Sequence, residues 1–138
     1  MRRPVAFVAV LFLVFLATAL APGCGNAKSA ATQRSDTKAA REYVRDCYSN
    51  PRVALQITQV EGPEYAAIGK IPRDHIARGY PDRSADCGVR VRFDWHNGNT
   101  TTHDDWVVWV GSDHKAVGFS GNAGGDKWRQ FVQSAAKQ

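Results

Sequence analysis

The chain has 138 residues, of which 43% are hydrophobic and 22% are charged, and its formal net charge at pH 7 is +5. This length allows one small domain, because domains usually need about 100 to 200 residues. The 4 Trp, 4 Tyr and 6 Phe residues exclude a wholly disordered chain, because disordered chains contain few aromatics. The net charge is too small and too scattered to indicate nucleic-acid binding.

The first 24 residues form an apolar block that differs from the polar remainder. Arg2 and Arg3 precede an uncharged apolar run from Val5 to Ala21, which ends shortly before Cys24. A basic start, an apolar middle and a small-residue exit are typical of a secretory signal peptide. We therefore predict a signal peptide over residues 1–23 and an extracytoplasmic location for the residues after it.

The segment Leu20-Ala21-Pro22-Gly23-Cys24 resembles the lipobox of bacterial lipoprotein precursors. The resemblance implies that Cys24 becomes the N-terminus and carries diacylglycerol and palmitate, which anchor the chain to the cell envelope on its periplasmic or outer-surface side. Ala21 departs from the family pattern, which usually has Leu, Val or Ile three residues before the cysteine. Two alternatives remain open: ordinary cleavage after Ala21, and an uncleaved anchor, because the apolar run approaches the roughly 20 residues of a membrane-spanning helix.

Residues 24–35 are predicted to form the lipid anchor and a flexible tether. Gly25 to Arg34 include no large apolar side chain, so this segment cannot bury enough surface to become ordered. Residues 36–138 then form a single domain with room for one modest core. Removal of residues 1–23 takes away two arginines and leaves a net charge of +3.

The first predicted helix runs from Thr37 to Tyr48. Ser35 or Asp36 can cap its start, and Asn50-Pro51 ends it. One apolar stripe recurs at helical spacing along it, formed by Ala40, Tyr43, Val44, Cys47 and Tyr48.

The two cysteines of the predicted domain form an even pair. In an oxidising compartment such pairs normally form disulfides. We therefore predict a disulfide between Cys47 and Cys87, which would contribute roughly 4 kcal/mol by closing a loop of about 40 residues. If these two pair with each other, Cys24 is left for the lipid, so the cysteine count supports the lipoprotein hypothesis.

An alternating segment from Arg52 to Glu61 predicts a strand, with Val53, Leu55, Ile57 and Gln59 on one face. Residues 62–86 contain three prolines and three glycines and are predicted to be mostly irregular. Within them we expect a short strand at Tyr65 to Ile71 and a helical turn at Arg73 to Arg78.

A hairpin is the strongest prediction of the second half. Residues from Val89 to His96 alternate between apolar and polar, Asn97 to Thr100 has turn chemistry, and Thr101 to Val110 returns antiparallel. Residues from Trp106 to Val110 are apolar on both faces, which indicates a central strand covered twice, either by two helices or by a helix and the proline-rich segment.

The chain is predicted to end with a turn, a strand and a helix. Ser112 to Lys115 turns into a strand from Ala116 to Ser120, and Asp126 caps the helix. The apolar stripe of this helix contains Trp128, Phe131, Val132 and Ala135. The outline is an α+β domain with a helix at each end of an antiparallel meander of about four strands. In layer order alone it loosely resembles cystatin-like and nuclear-transport-factor-like folds.

Four polar residues of the hairpin are candidates for a site. A four-residue loop places Arg92 opposite Asp105 and also places Asp94 opposite His103, all on the face that carries Trp109. A two-residue turn would instead place Arg90 opposite Asp105. In either register these residues could form the charged rim of a small pocket with an apolar floor.

The functional hypothesis gives these residues catalytic roles. His103 would act as a general base or as a metal ligand, oriented by Asp94 or Asp105, and Arg92 would bind an anion. The structural alternative, which we favour, treats them as cross-strand ion pairs on a wet sheet face. No metal-ligand spacing or nucleophile motif accompanies them. His114 lies in a predicted loop and is expected to be solvated.

The sequence thus favours a non-enzymatic binding module, anchored to the membrane by lipid and free to bind an envelope protein or small ligand. No cofactor, metal or nucleic acid is predicted. The first alternative is a small-molecule hydrolase or isomerase that uses Arg92, Asp94, His103 and Asp105. The second is an inhibitor or immunity-type envelope protein that uses the hairpin tip, Asn97 to Thr102, or residues 62–86.

Overall fold

A computed structural model describes residues 28–69, 71 and 84–137. Its elements are α1 (Ala30–Cys47), β1 (Val53–Ile68), β2 (Ala85–Asn97), β3 (Thr100–Val110), β4 (Ala116–Gly121) and α2 (Trp128–Ala135), with a 3₁₀ turn at Gly125–Lys127. The strands form one antiparallel sheet in the order β1-β2-β3-β4. Helix α1 packs on one face and α2 on the other. The predicted α+β class, with four antiparallel strands and a helix at each end, is confirmed.

Several predicted features lie outside the described residues. They are the signal peptide over residues 1–23, the lipidation site Cys24, the first part of the tether and the helical turn from Arg73 to Arg78. Within the described ranges, no helix has both the length and the apolar character needed to cross a membrane.

Helix α1 begins seven residues before the predicted start at Thr37. Ser29 caps it, because the Ser29 hydroxyl oxygen accepts a hydrogen bond of 3.1 Å from the Thr32 N–H. The first two turns consist of good helix formers such as Ala30 and Arg34. These turns are largely exposed and carry no apolar stripe, so the periodicity did not reveal them. Residues 30–35 of the predicted tether are therefore helical.

The predicted disulfide is wrong, because Cys47 and Cys87 are both free. Cys87 is buried on β2, where its thiol lies beside the carboxylate of Asp36 on α1. Cys47 is eleven residues farther along α1, about 16 Å at 1.5 Å per residue, whereas a disulfide needs Cα atoms within about 7 Å. The cysteine count therefore gives no support to lipidation at Cys24.

Strand β1 joins two segments that the sequence predicted as separate strands. Its pairing with β2 shifts between Ile57 and Gln59, and again between Glu61 and Glu64. The first shift turns Gln59 away from the α1 side, where Val60 packs instead. The prediction that Gln59 shares a face with Ile57 was therefore wrong.

The hairpin register between β2 and β3 is confirmed. Arg92 lies opposite Asp105 and Asp94 lies opposite His103. The connecting loop is shorter than the predicted four residues, because Asn97 and Thr100 still pair across Gly98-Asn99.

The predicted double coverage of β3 is also confirmed. Residues 106–110 are all buried. Val108 and its neighbours on that face pack in the cluster under α1, whereas Val107 and Trp109 pack in the cluster under α2.

Helix α2 packs through the predicted apolar stripe. Trp128 and Val132 are buried, and Phe131 and Ala135 pack around them. The approach is close at Gly88 on β2, where a Cβ atom would lie 2.7 Å from Val132 Cγ2. Asp126 is not the cap that the sequence predicted, because it lies in the 3₁₀ turn before the helix.

Candidate functional site

The four candidate residues of the hairpin share the α2 side of the sheet, but their side chains separate into two groups. His103 Nδ1 lies 2.6 Å from Asp94 Oδ1. The His103 side chain is 76% exposed, near the outer end of the hairpin. Asp94 is therefore in position to orient His103, one of the two partners that the sequence offered for it.

Arg92 does not pair with Asp105, although the two residues lie opposite each other. The Arg92 guanidinium donates a hydrogen bond of 3.1 Å to Gln59 Oε1 on β1. Asp105 is bound instead by Arg90, its diagonal neighbour on β2. The predicted four-residue cluster is thus divided, and only Asp94 contacts His103 among the candidates.

Arg90 is the centre of a buried ion-pair network. Its Nε and Nη2 atoms donate to Asp105 at 2.9 and 2.6 Å, and its Nη1 lies 3.4 Å from Glu61. Arg90 Nη1 also lies 3.6 Å from Asp126 Oδ1. The Trp128 indole N–H donates a hydrogen bond of 2.9 Å to Glu61. Only 5% of the Arg90 side chain is exposed. We name these five residues the Arg90 network.

Hydrogen bonding to Asp105 raises the pKa of Arg90, and the charges of Asp105 and Glu61 raise it further against the cost of burial. A buried cation is tolerated only when it is paired in this way. Each contact of Arg90 joins it to another element, since Glu61 lies on β1, Asp105 on β3 and Asp126 before α2. The Arg90 network therefore fastens these elements together, and each of the three guanidinium nitrogens of Arg90 contacts a carboxylate.

A second polar cluster, under α1, was missed by sequence reasoning. Asp36 is 2% exposed. Its carboxylate accepts a hydrogen bond of 2.6 Å from the Tyr65 hydroxyl, and His114 Nδ1 lies 2.7 Å away. His114 has a left-handed backbone with φ of 59°, an unusual conformation for a residue other than glycine. His114 was expected to be solvated and its side chain is 45% exposed, but its ring nitrogen also contacts the buried carboxylate of Asp36.

The Cys87 thiol completes this second cluster and is chemically quiet. Burial raises the pKa of Cys87, and the neighbouring charges of Asp36 and Asp86 raise it further. Burial and the hydrogen bond to Asp36 likewise raise the pKa of Tyr65. Because the thiolate is the reactive form, burial and the raised pKa disfavour reaction at Cys87. The cluster ties α1 to β1, β2 and the turn before β4.

Another carboxylate is held at the far end of α1. Asp104 Oδ2 accepts hydrogen bonds from the Trp95 indole N–H at 2.7 Å and from the Tyr48 hydroxyl at 3.3 Å. Burial, together with the neighbouring Asp104, raises the pKa of Tyr48 to about 12.

Two cavities lie beside α1, away from the predicted site. The first has a volume of about 670 Å³ and is lined by Ala30, Gln33, Arg34, Thr37, Lys38, Arg41, Glu42, Arg45 and Gly62. The second, of about 660 Å³, lies between α1 and β1 and contains the partly exposed Leu55 and Ile57. Arg41 and Arg45 line both. Neither cavity is lined by Arg92, Asp94, His103 or Asp105.

Four basic residues form a line along α1, which we name the basic stripe: Arg34, Lys38, Arg41 and Arg45. At 3.6 residues per turn their directions fall within about 60° of one another. All four are exposed. Lys38 pairs with Glu42 at 3.7 Å, whereas the three arginine side chains have no hydrogen-bond or ion-pair partner within the described part of the chain.

The described residues contain no group of three or more His, Cys, Asp or Glu side chains arranged to hold a metal ion. No family model matches the sequence, and no curated protein or solved structure matches it. The loose resemblance to cystatin-like folds is therefore not confirmed.

Proposed function

We propose that this chain is the precursor of a lipid-anchored envelope protein whose domain acts by binding, with the α1 side as its binding surface. The signal pattern over residues 1–23 and the lipobox-like end at Cys24 support the anchor. The three unpaired arginines of the basic stripe, which border two open cavities, support the binding surface and are the observation that carries the proposal.

The positions of the hairpin side chains do not favour a catalytic site there, which supports a binding function for the domain. A catalytic site needs a base, an anion-binding group and a substrate position that converge. Here the Arg92 guanidinium is directed to Gln59 and Asp105 is committed to Arg90. The hydrolase or isomerase hypothesis therefore retains a single exposed pair, His103 with Asp94.

The cystatin-like hypothesis stays a proposal about layer order. Its support is the packing of α1 on one face of a four-stranded antiparallel meander. The packing of α2 on the opposite face departs from that pattern.

Metabolic labelling with radioactive palmitate tests the anchor. We expect the full chain to be labelled, the Cys24→Ser variant to lose the label, and the Cys47→Ser variant to keep it. Cys47 is the matched control because it is an exposed free cysteine. Equal labelling of the Cys24→Ser variant would contradict the proposed anchor.

Photo-crosslinking in the native envelope tests the binding surface. One cross-linking residue replaces Thr37, which lines the first cavity, and another replaces Asn99 at the hairpin tip. We expect adducts from position 37 and none from position 99. Adducts from position 99 alone would contradict the proposal and favour the inhibitor-type alternative.

A further inference from the structure

We propose that the partner of the basic stripe is the anionic headgroup layer of the membrane that holds the lipid anchor, so that α1 lies along the membrane. The inference rests on the proposed function in one respect, since it takes lipidated Cys24 as the attachment point. It goes further by naming the surface that α1 contacts and the orientation of the domain.

The first support is the form of the basic stripe. Arg34 and Arg45 are eleven residues apart, which corresponds to about 16 Å along the helix axis. The stripe is thus a straight line of positive charge on the exposed side of α1. A line on one side of a rigid helix suits a flat, multiply charged surface, because all the charges can approach it together.

The second support is that the three arginines of the stripe are unpaired within the described residues, whereas Arg129 and Arg90 are ion-paired. Arg129 on α2 is ion-paired to Glu64 at 2.7 Å, and Arg90 is surrounded by carboxylates. Among the described residues, only Glu42 offsets a charge of the stripe, by pairing with Lys38. About three positive charges are therefore available to anionic lipid.

The third support is the short distance from the anchor to the stripe. Five residues separate Cys24 from Ala30, the first residue of α1. A fully extended chain spans at most about 3.6 Å per residue, so the start of α1 can lie no more than about 22 Å from the attachment point. Such a tether keeps the stripe at high effective concentration near the headgroups, and lipid with a basic patch is a two-signal membrane attachment.

A strand-adding peptide is the main competing partner, and β1 is poorly built to accept one. Strand β1 is an edge of the sheet, but its register shifts after Ile57 and again after Glu61, near Pro63. Bulges and proline are features that protect an edge strand from pairing. The charge of the stripe, not the backbone of β1, is therefore the recognition element.

The orientation follows from the two-sided fold. Because α1 and α2 cover opposite faces of the sheet, contact of α1 with the membrane directs α2 and the His103–Asp94 pair away from it. The membrane would then hold the domain in one orientation and leave the α2 side open to the extracytoplasmic space.

Vesicle co-sedimentation of the chain from residue 24 onward, carrying Cys24→Ser so that no lipid is attached, tests the inference. The probes are vesicles that contain phosphatidylglycerol and vesicles of phosphatidylcholine alone, each at low and high salt. We expect binding to the anionic vesicles only, weakened by salt. An Arg34→Gln, Arg41→Gln, Arg45→Gln variant should bind about 100-fold more weakly, at about fivefold per charge.

The matched control removes the same net charge elsewhere. Lys115, Lys127 and Lys137 are exposed, and replacing all three by Gln should leave at least most of the binding intact. An equal loss in this control would overturn the inference, because binding would then follow net charge. Failure of the Cys24→Ser chain to bind anionic vesicles would also overturn the inference. Binding to a soluble acidic polypeptide in that case would indicate a protein partner for the stripe.

The anchor and the stripe can fail separately. Vesicle binding is measured without lipid, so it does not depend on acylation, whereas palmitate labelling does not depend on the stripe. Labelling of Cys24 without vesicle binding overturns the stripe inference alone. Vesicle binding without labelling contradicts the proposed anchor, and the membrane contact of the stripe stands.

Discussion

Two charged regions on opposite sides of the sheet differ in how their charges are satisfied. On the α2 side, Arg90 is buried among Glu61, Asp105 and Asp126. On the α1 side, the three arginines of the basic stripe are exposed and unpaired within the described residues. The contrast separates charges that hold the fold together from charges that are available to a partner.

The largest effect should follow from removing the cation of the Arg90 network. Arg90→Met leaves Asp105 and Glu61 without their buried partner, which typically costs about 3–5 kcal/mol. We expect that loss in the free energy of unfolding, measured by urea titration with tryptophan fluorescence. Arg92→Met, at an exposed position, is the control and should change it by about 0.5 kcal/mol or less. Equal losses in Arg90→Met and Arg92→Met would contradict the claim that the buried Arg90 network stabilises the fold more than an exposed arginine does.

A smaller loss should follow from disturbing the packing of α2. In Gly88→Ala the added Cβ would lie 2.7 Å from Val132 Cγ2 and 2.8 Å from Val107 Cγ1. Overpacking of this kind costs about 1–3 kcal/mol. Gly69→Ala is the control, because nothing lies within 4 Å of its added Cβ. Thermal unfolding of both variants checks this, and an unchanged midpoint in Gly88→Ala would show that α2 is not packed closely on β2.

Not every charge on the α1 side is free of partners, because the Asp104 carboxylate accepts hydrogen bonds from Tyr48 and Trp95. Alkaline pH tests the contribution of the Tyr48 contact to stability. The pKa of Tyr48 is about 12 in the folded domain, above the value of about 10 for an unfolded chain. The stabilising effect of the neutral phenol is therefore complete below about pH 10 and is lost as the pH rises toward about 12.

The matching variant is Tyr48→Phe, which cannot ionise. Its free energy of unfolding should fall less steeply with pH above about pH 10 than that of the wild type. Urea titrations at several alkaline pH values give the two slopes. Parallel slopes would mean that Tyr48 does not contribute to the alkaline loss of stability.

The exposed pair at the hairpin should matter least on the α2 side. The His103 side chain is 76% exposed, and exposed ion pairs contribute about 0–1 kcal/mol. We expect His103→Ala to fall in that range in urea titrations. His96→Ala is the control, because His96 also bonds to a neighbour across the hairpin. A loss above about 2 kcal/mol for His103→Ala, with none for His96→Ala, would show that the His103–Asp94 pair stabilises the fold as the Arg90 network does.

The sheet was predictable because its signals are local. Alternation from Val89 to His96, followed by turn residues, predicted the hairpin and left two registers open, and the structure has the one that pairs Asp94 with His103. The apolar run from Trp106 to Val110 predicted a strand covered on both faces, as the structure shows. A period of two residues is enough for both predictions.

The charged partners were not predictable, because they depend on side-chain direction and on distant contacts. Register places Arg92 opposite Asp105, but a long side chain also reaches diagonally, and Arg90 takes that position. Asp36 and His114 are 78 residues apart, and no local pattern joins them. Long-range packing decides both.

The spacing of the four basic residues matches one side of a helix, but the predicted boundary between tether and helix divided them. Arg34 was assigned to the tether and Lys38, Arg41 and Arg45 to the helix, so the continuous line was divided. The early start of α1 at Ala30 brings the four residues onto one helix.

The stability of the stripe variant tests most directly whether the two charged regions have different roles. The Arg34→Gln, Arg41→Gln, Arg45→Gln variant should keep a free energy of unfolding within about 0.5 kcal/mol of the wild type in urea titrations, because the side chains of the three replaced arginines make no hydrogen bond or ion pair within the described residues. Arg90→Met, measured alongside, should lose several kcal/mol. A loss of more than about 2 kcal/mol in the stripe variant would show that these arginines hold the fold together, and would contradict their role as a surface for a partner.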